Sequence, residues 1–175
     1  SEQIMDKMNF KHYMLKEIYD QPVTVKNWLE NYLTQNLQDG QYQINYPFDT
    51  NFFESIEKIE IIACGTSKHA AMVGSFLLEQ FSGIPTNVFY ASEFRYSPPP
   101  LLPNTLTIGV TQSGETADTI AAIDMEIKRR SSIEDKKFKP NLIAITNRKE
   151  SSIGRQVSNI IAVSYTHLTL PTTTI

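Results

Sequence analysis

Five short apolar runs, at 59–63, 86–91, 106–110, 142–146 and 159–163, alternate with segments patterned for helices. No other feature of the chain restricts its fold so tightly. A run of five or six apolar residues is strand-sized. Runs without polar alternation suit strands covered on both faces, and helical intervals supply the cover. The helical intervals are 68–81, with Ala70, Val73, Leu77 and Phe81 on one inward face, and 116–130, with Ile120, Ile123 and Ile127 inward. Shorter turns are expected near 92–96 and 151–156. Ser82-Gly83 followed by Pro85 ends the first helix, and Pro98-Pro99-Pro100 forces an extended connection. The expected fold class is α/β, a doubly wound parallel sheet of five strands.

Residues 9–38 carry a different pattern and read as a helical lead. Phe10, Met14 and Ile18 recur at spacing four, Pro22 stops or kinks the pattern, and Val25, Trp28, Leu29 and Tyr32 resume it. The stretch 40–51 reads as a connection. Residues 1–51 are thus expected to be lead and linker, 52–163 the α/β domain, and 164–175 a separate tail. The tail, SYTHLTLPTTTI, continues neither pattern. A frayed end, an edge strand and sequence foreign to the gene all remain open.

Charge and cysteine content narrow the function classes. A formal net charge of −3 points away from nucleic acid as the main partner. The basic stretch Lys128-Arg129-Arg130, followed by Lys136-Lys137 and Lys139 and interrupted by Glu134 and Asp135, reads as a solvated loop. One cysteine, Cys64, permits no intrachain disulfide and fits a reducing, cytoplasmic setting. No run approaches a membrane span and no signal-peptide pattern is present at the N-terminus. His12, His69 and His167 have no metal-ligand spacing, so neither a metal nor a cofactor is expected.

Chemistry is most legible at two strand ends. Cys64-Gly65-Thr66-Ser67 follows the first run, and Thr111-Gln112-Ser113-Gly114-Glu115-Thr116 follows the third. In open parallel sheets, ligands bind where strands end in loops that open helices. Glycine lets backbone approach a ligand, and helix N-termini carry unpaired N–H groups that attract anions. Ser67, Ser113 and Thr116 read equally well as helix caps. Neither loop carries G-x-G-x-x-G or a P-loop pattern, which disfavours dinucleotides and NTPs. Cys64 lacks a paired histidine and reads as a buried small residue at a strand end rather than a nucleophile. Glu93 and Arg95 are placed for a local ion pair, and Glu115 is either a first-turn residue favoured by the helix dipole or a catalytic base.

The motifs ACGTS at 63–67, ASEFRY at 91–96 and QSGETADT at 112–119, in that order, resemble the first sugar isomerase (SIS) subdomain of glutamine–fructose-6-phosphate aminotransferases. HYMLKEIYDQP at 12–22 is similar to the segment preceding the isomerase domain there. The likeness runs from about residue 9 to about 163. It implies a flavodoxin-like or Rossmann-like SIS fold and an enzyme that makes glucosamine 6-phosphate from fructose 6-phosphate and glutamine. Within that resemblance, Thr111, Gln112, Ser113 and Thr116 hold the substrate phosphate. Cys64, Gly65, Thr66 and Ser67 line the sugar end. The family has serine where this chain has Thr111.

The resemblance also implies what is absent here: the glutaminase domain that releases ammonia, and the second SIS subdomain with the family's acid–base glutamate, ring-opening histidine and sugar-engaging lysine. The expected reading is a fragment, inactive alone, from an enzyme that is a homodimer when whole. Two other readings stand beside it: a sugar-phosphate-sensing SIS module of a regulator, and a purely structural α/β domain. A regulator would carry a DNA-binding helix-turn-helix, a pattern that 9–38 does not match.

Overall fold

The structure is a computed structural model and describes residues 10–36 and 38–163. Within it the chain divides into two compact units, one within residues 10–45 and the other Tyr46–Val163.

The first unit is a helix and a hairpin. Helix α1 spans Tyr13–Tyr32 and continues past Pro22, which lies inside it. Of the stop or kink expected at this proline, the stop does not occur. One proline removes one backbone bond, and the turns on either side carry the helix past the gap. The pattern does end earlier than 38. Leu33 turns extended, and β1 (Leu33–Gln35) pairs antiparallel with β2 (Tyr42–Ile44). Sequence reading placed β1 in the helix and β2 in a connection. Strands of three residues are too short to show a period of two, and the pairing itself decides them.

The second unit holds a sheet of five parallel strands in the order β4-β3-β5-β6-β7. They are β3 (Lys58–Ala63), β4 (Thr86–Tyr90), β5 (Thr105–Val110), β6 (Asn141–Thr146) and β7 (Ile160–Ala162). All five apolar runs became strands, and the doubly wound α/β expectation holds. Between them lie α2 (Gly65–Ser82), α3 (Ala91–Tyr96), α4 (Ala117–Ser131) and α5 (Ser152–Gln156).

Alternate strand residues enter two separate cores. Ile59, Ile61, Leu106, Ile108 and Ile143 pack with Ala71 of α2 on one face. Ile62 and Ala144 pack with Phe94 of α3, Ile123 of α4 and Ile153 of α5 on the other. The inward face of α2 corrects the sequence reading. Ala71 and Leu78 face the sheet, whereas Val73, Leu77 and Phe81 are exposed, Phe81 at 81%. Helical spacing identifies an apolar stripe but not which neighbour covers it. On α4, Ile123 is fully buried, with Ile120 and Ile127 partly packed beside it.

The basic stretch at the end of α4 is also corrected. Arg130 is 1% exposed and its Nε donates to Oε1 of the fully buried Glu126 at 2.6 Å. Its Nη1 donates to the Leu102 carbonyl at 3.0 Å, and Arg129 reaches the Pro99 carbonyl at 2.6 Å. The guanidinium groups fasten the proline-rich connection between α3 and β5 to α4.

Candidate functional site

Strand order sets the position of the site. From β3 the chain crosses outward to β4, returns to β5 on the other side of β3, and continues to β6 and β7. The direction of winding therefore reverses between β3 and β5, where loops on opposite faces part and leave a crevice. Ala63 and Val110 are paired in register, so Cys64 and Thr111 leave the sheet side by side. The two hydroxyl-bearing loops separated by more than forty residues in sequence are neighbours at this switch point.

In the first loop Cys64 is extended (φ −122°, ψ 156°) and Gly65 opens α2 with φ +53°. That left-handed conformation favours glycine and lets the chain turn sharply from strand into helix. Thr66 is exposed, Ser67 and Cys64 are half-buried, and the thiol is free. No side chain caps α2, so the capping reading of Ser67 is not met. Lys68, in the first turn, lies 3.5 Å from the centroid of the Tyr90 ring, a cation–π contact that holds it beside this loop.

The second loop uses its hydroxyls internally. Thr111 is 2% exposed, and its Oγ1 lies 2.8 Å from the Oγ1 of Thr116, a hydroxyl pair in which either atom donates. Ser113 Oγ accepts the Glu115 N–H at 3.1 Å. Thr116 occupies the N-cap position of α4, yet its side chain does not cap. The cap reading of Ser113 and Thr116 thus fails for a local reason: each hydroxyl finds a nearer partner within the loop. Among the described residues, the N–H groups of Gln112, Ser113 and Gly114 donate to no backbone or side-chain acceptor. Gln112 itself is exposed.

A third loop, between β6 and α5, buttresses the second. The Gln112 carbonyl accepts from Asn147 N at 3.0 Å and from Thr146 Oγ1 at 3.3 Å, and the Gly114 carbonyl accepts from Ile153 N at 3.1 Å. Gly114 has φ +71°, and a Cβ there would sit 1.9 Å from Ser151 Oγ. Glu115 accepts from Ser152 N at 2.9 Å and from Ser152 Oγ at 2.6 Å. The Ser152 side-chain bond, followed by its backbone bond, holds the Glu115 carboxyl below the usual carboxylate range. A base reading of Glu115 is not favoured by this, since its lone pairs are engaged and its affinity for a proton is lowered. Ser151, Ser152 and Thr146 were not singled out from sequence. The signal for them was faint, a pair of serines opening a brief helix.

The expected Glu93–Arg95 pair does not form. Arg95 Nη1 instead meets Asp118 Oδ1 of α4 at 2.7 Å, tying α3 to the helix that follows the second loop. His69 lies exposed on α2, and His167 with the whole tail lies outside the described residues. Among the described residues, no cluster of three or more His, Cys, Asp or Glu could hold a metal ion, and no helix is long and apolar enough to cross a membrane.

Comparison with known proteins agrees with this geometry. Residues 52–169 match the SIS domain family. The chain belongs to that family. Over 162 residues it is 56% identical to the isomerizing glutamine–fructose-6-phosphate aminotransferase of Thermosynechococcus vestitus, covering 90% of this chain and 25% of that protein. Against the same enzyme of Synechocystis sp. it is 50% identical over 161 residues, again 90% of this chain and 25% of the other. This SIS chain therefore spans about a quarter of the length of these curated relatives. Among solved structures, the C-terminal domain of glucosamine-fructose-6-phosphate aminotransferase from Francisella tularensis superposes with a TM-score of 0.74 at 34% identity, covering 90% of this chain and 41% of that one. The family likeness and the fold expected from sequence both hold.

Proposed function

We propose that this SIS chain is the sugar-phosphate-holding part of a glutamine–fructose-6-phosphate aminotransferase. The observation that carries the reading is the loop 111–116 at the switch point. It presents three unpartnered N–H groups and the Ser113 and Thr116 hydroxyls at the mouth of α4. A phosphate carries about two negative charges and several acceptor oxygens, and it is suited to converging donors at a helix N-terminus. Gln112, Ser113 and Thr116 bind the phosphate, and the buried Thr111 acts through the hydroxyl of Thr116. Cys64, Gly65, Thr66 and Ser67 line the sugar end of the same crevice. The names of the aminotransferase relatives support fructose 6-phosphate as the substrate, and the product implied by the resemblance is glucosamine 6-phosphate.

The residues that would turn over the sugar are not apparent in this loop set, since Glu115 is engaged with Ser152. The second SIS subdomain and a glutaminase domain complete the enzyme, which works as a cytoplasmic homodimer without a cofactor. This chain alone makes no glucosamine 6-phosphate from fructose 6-phosphate and ammonia. Titration of the isotope-labelled chain with fructose 6-phosphate, followed by NMR, tests the reading. The amide signals of Gln112–Thr116 should shift and saturate. Ser113→Ala and Thr116→Ala should each weaken binding roughly ten- to a hundredfold, the worth of one hydrogen bond to a charged group. Binding by both variants equal to wild type would remove the phosphate role from this loop.

A further inference from the structure

Glu115 is an exposed carboxylate beside a loop of hydroxyls, yet it faces away from those hydroxyls and into the neighbouring loop. Both carboxylate oxygens are used on Ser152, one by the backbone N–H and one by the hydroxyl. Ser152 Oγ in turn accepts from Arg155 Nη2 at 2.8 Å, and Arg155 Nη1 donates to the Glu150 carbonyl at 2.8 Å. A chain of bonds therefore runs from Arg155 through Ser152 to Glu115. Two backbone bonds run parallel to it, Asn147 N to the Gln112 carbonyl and Ile153 N to the Gly114 carbonyl. Every bond on this side of the loop consumes an acceptor of residues 112–115. None consumes a donor. From this side the loop is held by its carbonyls and its carboxylate, and the N–H groups of Gln112, Ser113 and Gly114 are left without a partner among the described residues.

We propose that Glu115 and Ser152 form a latch that positions the 111–116 loop for the phosphate, making Glu115 a positioning residue and not an acid–base residue. This rests on the phosphosugar reading given above. A carboxylate close to a phosphate site would ordinarily repel the ligand. Here its charge is directed onto the first N–H of α5 and a hydroxyl oriented by Arg155, so the cost of a nearby negative charge is offset while the tether remains.

The test uses the 175-residue chain, its Glu115→Ala, Glu115→Gln and Ser152→Ala variants, and the Glu115→Ala/Ser152→Ala pair. Two readouts are taken by NMR: hydrogen exchange at the Asn147 and Ile153 amides without ligand, and the affinity for fructose 6-phosphate from the loop amide shifts. Glu115→Ala should accelerate exchange at Ile153 and weaken binding about tenfold, equivalent to ~1.4 kcal/mol. Ser152→Ala keeps the backbone N–H and should cost less. The double variant should be no weaker than Glu115→Ala, because both changes break one linkage. Glu115→Gln keeps an acceptor and gains a donor, and should restore part of the affinity. A bond that only stabilised the fold would lower the melting temperature and leave the affinity of the folded chain unchanged. Affinity of Glu115→Ala equal to wild type, or unchanged exchange at Ile153, overturns the latch and leaves the phosphosugar reading standing. Absence of any saturable shift in the wild-type chain overturns the phosphosugar reading and the positioning role together.

Discussion

Gly114 shows how one residue can be settled by its neighbours. Its φ of +71° alone favours glycine, and Ser151 Oγ stands 1.9 Å from where a Cβ would be. Gly114→Ala should therefore cost about 2 kcal/mol or more, from a strained backbone and a displaced serine. Denaturant unfolding will measure this, and a shift within error of wild type would contradict the packing. Glu60 makes a different point. It lies on β3, 3% exposed, and burial pushes its carboxyl above the usual range, with Glu126 adding to the rise and Arg130, Lys58 and Arg129 opposing it. A carboxyl raised in the folded chain contributes stability at acid pH that is lost as pH climbs through the raised value. Glu60→Gln removes that loss. The variant should match wild type in acid and become the more stable of the two toward neutrality, as thermal melts across the range will show. Its burial was not legible beforehand, because a lone glutamate within Ile59–Ile62 looks the same on an exposed edge as under a helix.

Elements were read most securely where a pattern was long and its cover unambiguous. The five strands fell close to the expected runs because continuous apolar residues have no soluble alternative at that density. Helix faces were harder. The stripe Val73-Leu77-Phe81 on α2 is apolar and helical in spacing, yet Ala71 and Leu78 are the residues against the sheet. Where a helix is apolar on more than one side, periodicity identifies no unique inward direction. Helix α1 shows a proline that does not end its helix. Pro22 lies well inside Tyr13–Tyr32 and costs about 3 kcal/mol relative to alanine in a helix interior. Pro22→Ala should deepen the far-ultraviolet helical signal and slow exchange at the amides just after it. No change in either would mean that the surrounding turns are frayed in solution.

For the whole molecule, the uncovered surface is as informative as the core. Met72, Val73, Phe76, Leu77 and Phe81 leave a continuous apolar stripe along α2, with Phe76 at 66% exposure. Patches of this kind drive association in water. The chain should bind a hydrophobic dye and self-associate as concentration rises, and Phe76→Ser with Phe81→Ser should suppress both without lowering fructose 6-phosphate binding. A double variant as sticky as wild type would place the association elsewhere. From sequence alone came the alternation of strand and helix, the two small-residue loops and the SIS likeness, because each is written locally in composition and spacing. Only the tertiary structure decided the rest. Strand order brought Cys64 and Thr111 side by side at the reversal of winding. Packing of the β6–α5 loop then turned Glu115 from a free carboxylate into a tether on Ser152. Both depend on contacts between residues far apart in the chain, and periods of two or 3.6 carry no record of such distances.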